Sequence, residues 1–253
     1  MIIAQISDTH IDLGNPDAEP RLQDFADTIA DINTLDPAPD VIVHTGDIVH
    51  NGLRDEYECA AAILAEALAP VFVLAGNKDD RANLHAAFAG HGYLAPKAEF
   101  IDYAVEGFPV RLIALDTLSL RSHKGDFCNE RAHRLIDLID AEPSKPIAVF
   151  THHPPYAVTE WRDAHHFESK DMAMRLRATM LGSERVRAVF SGHVHRASVG
   201  NVETIPARAM PSIATNLRNG EYPEHMKSRP VYYLHQFDPE ADFISQSRIV
   251  GTR

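Results

Sequence analysis

Residues 186–195 read Val-Arg-Ala-Val-Phe-Ser-Gly-His-Val-His. The first five form an apolar, β-branched run of strand length. The rest hold a glycine and two histidines at i and i+2, which lie on one side of an extended chain, as chelation of one ion requires. The stretch reads as a buried strand that delivers imidazoles at its carboxyl end. The pattern recurs upstream: Ile2–Ile6 is followed by Ser7-Asp8-Thr9-His10, and Val41–His44 by Thr45-Gly46-Asp47. Val71–Leu74 is followed by Ala75-Gly76-Asn77-Lys78-Asp79, and Ile147–Phe150 by Thr151-His152-His153-Pro154-Pro155. Each piece alone is an ordinary turn, but five in succession at strand ends are not. Ligands of α/β folds bind outside the carboxyl ends of strands, so these dispersed residues can converge on one point.

A further run, Val110–Leu115, also reads as a strand. Arg21–Leu35, with Leu22, Phe25, Ile29 and Ile32 at helical spacing, reads as a helix, as do Asp55–Leu68, Asn129–Ile139 and Lys170–Leu181. Alternating strands and helices predict an α/β layered fold. Beyond Gly192 the pattern changes to short strands, Ala197–Val202, Val231–Phe237 and Phe243–Val250. The Pro-, Asn- and Arg-rich stretch 208–229 between them is expected to be an arm or irregular loop. No repeat or linker divides residues 1–253, which read as a single domain.

The 253 residues are 45% hydrophobic and 24% charged, which excludes a disordered chain. A formal net charge of −12 argues against general nucleic-acid binding, which needs Lys and Arg to neutralise phosphates. Cys59 and Cys128 are far apart and outside any CxxC pattern, so a reducing compartment is expected. No apolar run approaches the ~20 residues of a membrane span. The N-terminus lacks the basic lead of a signal peptide. The location expected from these readings is cytoplasmic.

Asp8, His10, Asp47, Asn77, His152, His193 and His195 offer oxygen and nitrogen but no sulfur, a set that suits Mn, Fe, Zn or Co. Seven donors exceed what one ion needs and suit two ions sharing a carboxylate, for which Asp47 is the candidate bridge. The order Asp-x-His, Gly-Asp, Gly-Asn, His and Gly-His-x-His, over residues 6–195, resembles the calcineurin-like metallophosphoesterase superfamily. The early Asp8 and the His152-His153-Pro154-Pro155 loop are similar to bacterial class III cyclic nucleotide phosphodiesterases and related glycerophosphodiesterases. The resemblance implies a four-layer αββα sandwich of two mixed sheets flanked by helices. It also implies one metal on Asp8, His10, Asp47 and His195, and a second on Asp47, Asn77, His152 and His193. The expected activity is hydrolysis of small phosphodiesters by in-line attack of a metal-bridging hydroxide.

Lys78 stands where these phosphodiesterases usually have a histidine after Gly-Asn. It is expected to act as a fixed cation on a phosphoryl oxygen or as a general acid. His153 is expected either near the substrate or as a donor that orients a ligand. His44 reads as buried support, and His50 and Asn51 as pocket rim. His123, His165 and His166 are lesser candidates for substrate contact. Two other readings compete: a phosphomonoesterase on the same centre, with Lys78 favouring a dianion, and a silent binding scaffold, which the complete donor set disfavours. Relatives often associate through an arm near the C-terminal part, so 208–229 also makes a homo-oligomer an expectation.

Overall fold

The computed structural model describes residues 1–95, 99–158 and 166–251. Eleven strands form two sheets among these residues. The first has the order β11 (Asp242–Ile249), β10 (Val231–Asp238), β1 (Ile2–Ile6), β2 (Val41–His44) and β3 (Val71–Val73). The second runs β4 (Tyr103–Val105), β5 (Arg111–Leu115), β6 (Ile147–Thr151), β7 (Val186–Ser191), β9 (Ile205–Ala209) and β8 (Ser198–Val202). β1, β2 and β3 are parallel, as are β5, β6, β7 and β9, while β4, β8, β10 and β11 pair antiparallel at the sheet margins.

Alternation along the central strands explains the layering. On β6, Ala148 and Phe150 join one core with Ile3, Val41 and Val43 of the first sheet. Their neighbours Ile147 and Val149 turn to a second core, because successive side chains leave opposite faces of a strand. Phe190 on β7 stacks on His235 of β10, with ring centroids 3.7 Å apart, so the sheets pack face to face. Helices α1 (Ala18–Asn33), α2 (Arg54–Leu64) and α3 (Arg81–Phe88) share the first core, through Phe25, Ile29, Tyr57, Leu84 and Phe88. Helices α4 (Asn129–Asp140) and α5 (Lys170–Leu181) share the second, through Leu135, Ile139, Leu176 and Met180. The result is the expected αββα sandwich.

Of the elements that escaped the sequence patterns, three did so for a clear physical reason. β4 has only three residues. β9 contains Pro206, which argues against a strand inside a sheet. α3 has eight residues, and its clearest signal is Asp80, whose side chain accepts from the Asn83 N–H and caps the helix. Within 208–229, Arg208 and Ala209 complete β9. Residues 210–219 then cross irregularly from the second sheet toward the first, and Glu224–Lys227 forms a short α6. No helix among the described residues is long and apolar enough to cross a membrane. Cys59 and Cys128 are both free thiols.

Candidate metal centre

Five strand ends from the two sheets meet at one place. Asp8 and His10 follow β1, Asp47 follows β2, Asn77 follows β3, His152 follows β6, and His193 and His195 follow β7. The loops turn sharply: Asp8, His10, Asp47, His193 and His195 all have φ between 46° and 70°. Side chains avoid this left-handed region, at a cost of about 1–3 kcal/mol each, and hold it only where packing dictates it. Backbone hydrogen bonds do so here. The N–H groups of Asp8 and His10 donate to Gly46 O and Asp47 O, both at 3.0 Å, and zip the first two loops together. The Asp79 carboxylate accepts from Ile48, Val49 and Gly76 N–H groups and from the Tyr57 hydroxyl (2.8 Å), tying the β2 and β3 loops to α2. Gly192 is required by close approach: a Cβ there would strike Ser7 Oγ and lie 2.6 Å from Asp8 Oδ2.

The side chains sort into two groups about one carboxylate. In the first, His195 Nε2 lies 2.9 Å from His10 Nε2 and 3.2 Å from Asp8 Oδ1. In the second, Asn77 Oδ1 lies 3.1 Å from His152 Nε2 and 2.8 Å from His193 Nδ1. Asp47 stands between them, its Oδ2 at 3.4 Å from His10 Nε2 and 3.5 Å from His152 Nε2. Its other oxygen accepts the Lys78 backbone N–H at 2.7 Å, which leaves Oδ2 facing both groups.

The ring orientations test whether cations fit. His195 Nδ1 faces Leu217 O at 3.0 Å, and His152 Nδ1 faces Thr45 O at 2.8 Å. A carbonyl only accepts, so both Nδ1 atoms carry protons and, in the neutral rings, both Nε2 atoms present lone pairs. Those lone pairs point at other nitrogens and at carboxylate oxygens. Acceptors crowded against acceptors in a mostly buried site call for positive charge between them. The acid–base behaviour agrees. Burial opposes the charge of Asp47, yet His152 and His10 beside it hold the carboxyl well below the usual range. Burial likewise disfavours the His152 imidazolium, but Asp47 overrides it and raises His152 to about 9, so without a metal the cluster would recruit a proton. An oxygen and nitrogen set held by orienting carbonyls fits Mn, Fe, Zn or Co.

The remaining candidates take varied places. His153 is fully buried, 4.4 Å from the His193 ring centre, with Nδ1 at 2.8 Å from Thr117 Oγ1 and Nε2 at 3.2 Å from His123 O. Both of its nitrogens are therefore engaged by the protein. Burial, with His152 nearby, holds its pKa well below the usual value. At His123 it is the carbonyl that serves the site. Lys78 is half-buried at the junction of the two groups, and neither neighbouring carboxylate pairs with it: Asp79 binds the loops and Asp80 caps α3. His50 Nδ1 lies 3.3 Å from His10 Nδ1, whereas Asn51 is tied to Asp12 and Glu56. His44 supports from behind through Thr9 (3.0 Å), and the buried His166 ring packs 5.6 Å from that of His193. His165 lies outside the described residues. Sequence reading missed Ser212, whose hydroxyl donates to Asp8 O at 2.7 Å, and Asn219, which donates to Val194 O and His195 O. No spacing pattern could flag them.

Comparison with known proteins agrees with the architecture. The calcineurin-like phosphoesterase family model matches residues 1–197. A probable glycerophosphodiester phosphodiesterase GpdQ of Arcobacter nitrofigilis is 30% identical over 99% of this chain and 94% of its own. The 3',5'-cyclic adenosine monophosphate phosphodiesterase CpdA of Pseudomonas aeruginosa is 23% identical over 78% of this chain and 70% of its own. Among solved structures, a dimetal phosphatase from Danio rerio superposes with a TM-score of 0.72 at 13% identity, covering 99% of both chains, a likeness of fold. With its strand-end residues gathered about Asp47 and the family match running through His195, the chain belongs to the calcineurin-like phosphoesterase family.

Proposed function

We propose that the protein hydrolyses phosphodiesters of small molecules at a two-cation centre, with Asp8, His10, Asp47 and His195 holding one ion and Asp47, Asn77, His152 and His193 the other. The observation that carries this reading is Asp47 Oδ2, nearly equidistant from His10 and His152 and flanked by a donor group on either side. Cations so held lower the pKa of bound water and polarise phosphoryl oxygens. The chain's own residues supply the rest. The carbonyls of Leu217 and Thr45 fix the tautomers of His195 and His152. The Lys78 backbone aims the shared carboxylate, and its ammonium stands ready to meet charge on a phosphoryl oxygen or to protonate a leaving alkoxide. His153, bonded to Thr117 and His123, supports the His193 side without facing substrate.

Small diesters are favoured by two facts. A relative that matches this chain almost end to end is named a probable glycerophosphodiester phosphodiesterase, and a net charge of −12 offers little to a polyanionic polymer. Cyclic nucleotides and glycerophosphodiesters are the substrates to test. One observation favours a second reading: among the described residues no carboxylate pairs with the Lys78 ammonium, which suits the extra charge of a phosphomonoester. The deciding experiment compares initial rates of Mn-loaded protein on bis-p-nitrophenyl phosphate and p-nitrophenyl phosphate, with chelated protein and Asp47→Ala as controls. We expect a metal-dependent preference for the diester that Asp47→Ala abolishes. A preference for the monoester overturns the diesterase assignment.

A further inference from the structure

Asp8 and His195 meet at 3.2 Å, yet they hang from strands of different sheets, β1 and β7. The His193 N–H on the Asp8 carboxylate, at 3.1 Å, is one tie across the gap between those sheets. Residues 210–219 span it, on their way from β9 in the second sheet to β10 in the first. The span begins with Met210 N–H donating to Ser191 O at the end of β7. Ser212, fully buried, donates its hydroxyl to Asp8 O at 2.7 Å, and Ile213 N–H donates to Ser7 O. Thr215 then anchors the segment to α1 through Asp24, with both its N–H and its hydroxyl at 2.8 Å from Oδ2. Finally Leu217 O receives His195 Nδ1–H, while Asn219 donates from its backbone to His195 O (2.8 Å) and from its side chain to Val194 O (3.1 Å). Each end of the span grips a residue in the left-handed conformation, Asp8 (φ 57°) or His195 (φ 54°).

We propose that residues 210–219, which lie beyond the family-matched part of the chain, form a strut whose Ser212 and Asn219 are positioning residues for the Asp8/His195 cation site in preference to the other. The inference rests on the two-cation reading. In the second group His152 takes its orientation from Thr45 O, while His193 is held by Asn77 and by its backbone N–H on the Asp8 carboxylate at 3.1 Å; the bonds named for Ser212 and for the Asn219 side chain are made to Asp8 and Val194, not to Asn77, His152 or His193 themselves. Loss of a strut bond therefore loosens the Asp8/His195 site directly and reaches the other only at second hand, through Asp8 or Val194. Removal of groups that orient metal ligands typically costs 10–100-fold in metal affinity.

The test uses full-length wild type, Ser212→Ala and Asn219→Ala, each loaded with Mn and equilibrated against graded free Mn, with retained metal counted per chain. Circular dichroism on the same samples reports folding. Wild type should retain two ions. Each variant should release one of them at a free Mn concentration 10–100-fold higher than wild type does, while the other shifts clearly less. Asn219 is exposed, so its variant carries the test if the buried Ser212→Ala fails to fold. Two ions in wild type with unshifted release in the folded variants, or an equal shift of both ions, overturns the strut and leaves the two-cation reading standing. Fewer than two ions in wild type overturns both.

Discussion

Gly76→Ala tests the packing of the centre without replacing a proposed ligand. A Cβ on Gly76 would lie against Asp47 N and Oδ1, closer than real Cβ atoms come, and 2.8 Å from His152 Cε1. None of these can give way cheaply. One is backbone, one is a carboxylate oxygen held by Lys78 N–H at 2.7 Å, and one belongs to a ring held by Thr45 O at 2.8 Å. Overpacking of this kind costs about 1–3 kcal/mol. Breaking the hydrogen bond from Lys78 N–H to a charged carboxylate adds about 1.5–3 kcal/mol. The sum is roughly 2.5–6 kcal/mol, and a chain of this size loses about 2–4 °C of Tm per kcal/mol, so the midpoint should fall by roughly 5–24 °C. Thermal unfolding should be measured in excess chelator, so that weakened metal binding does not add to the shift. Gly90→Ala is the control, because a Cβ there meets nothing within 4 Å, and it should match wild type. A Gly76→Ala midpoint within about 2 °C of wild type would refute the claim that these loops are immovably packed.

Two further outcomes are expected. Lys78→Met should slow diesters with alkoxide leaving groups by roughly 10²–10⁴-fold and nitrophenolate diesters far less; equal losses on both would exclude proton donation by Lys78. Burial, with Arg208 nearby, holds the His235 pKa at about 3, against an ordinary 6.5. The unfolded chain then binds the extra proton first, so stability is full above pH 6.5 and falls with acidification toward pH 3, by about 1.4 kcal/mol per pH unit from this group. Chemical denaturation of His235→Gln at pH 7, 6 and 5 should show a shallower slope than wild type, and parallel slopes would contradict the assignment.

The alternation of β-branched runs with amphipathic helices, and the polar residues at each strand end, made the α/β class and the candidate donors readable from the chain alone. Hydrophobic period and turn chemistry are local properties, and Asp8, His10, Asp47, Asn77, His152, His193 and His195 each sit within a few residues of the strand that carries them. The departure at Lys78 was equally visible. What the chain could not disclose was which nitrogen of each ring faces inward. That is decided by Thr45 O for His152, 107 residues away in sequence, and by Leu217 O for His195. It also could not separate His152, whose Nε2 is left toward Asp47, from His153 beside it, whose nitrogens are taken by Thr117 and His123. The stretch 208–229 showed only irregular composition, because the contacts of Ser212 and Asn219 with Asp8, Val194 and His195 are made through backbone carbonyls. A carbonyl is the same at every residue and leaves no mark on a sequence. Only the packing of two sheets, which brings β1 against β7, decides which carbonyls and imidazoles meet.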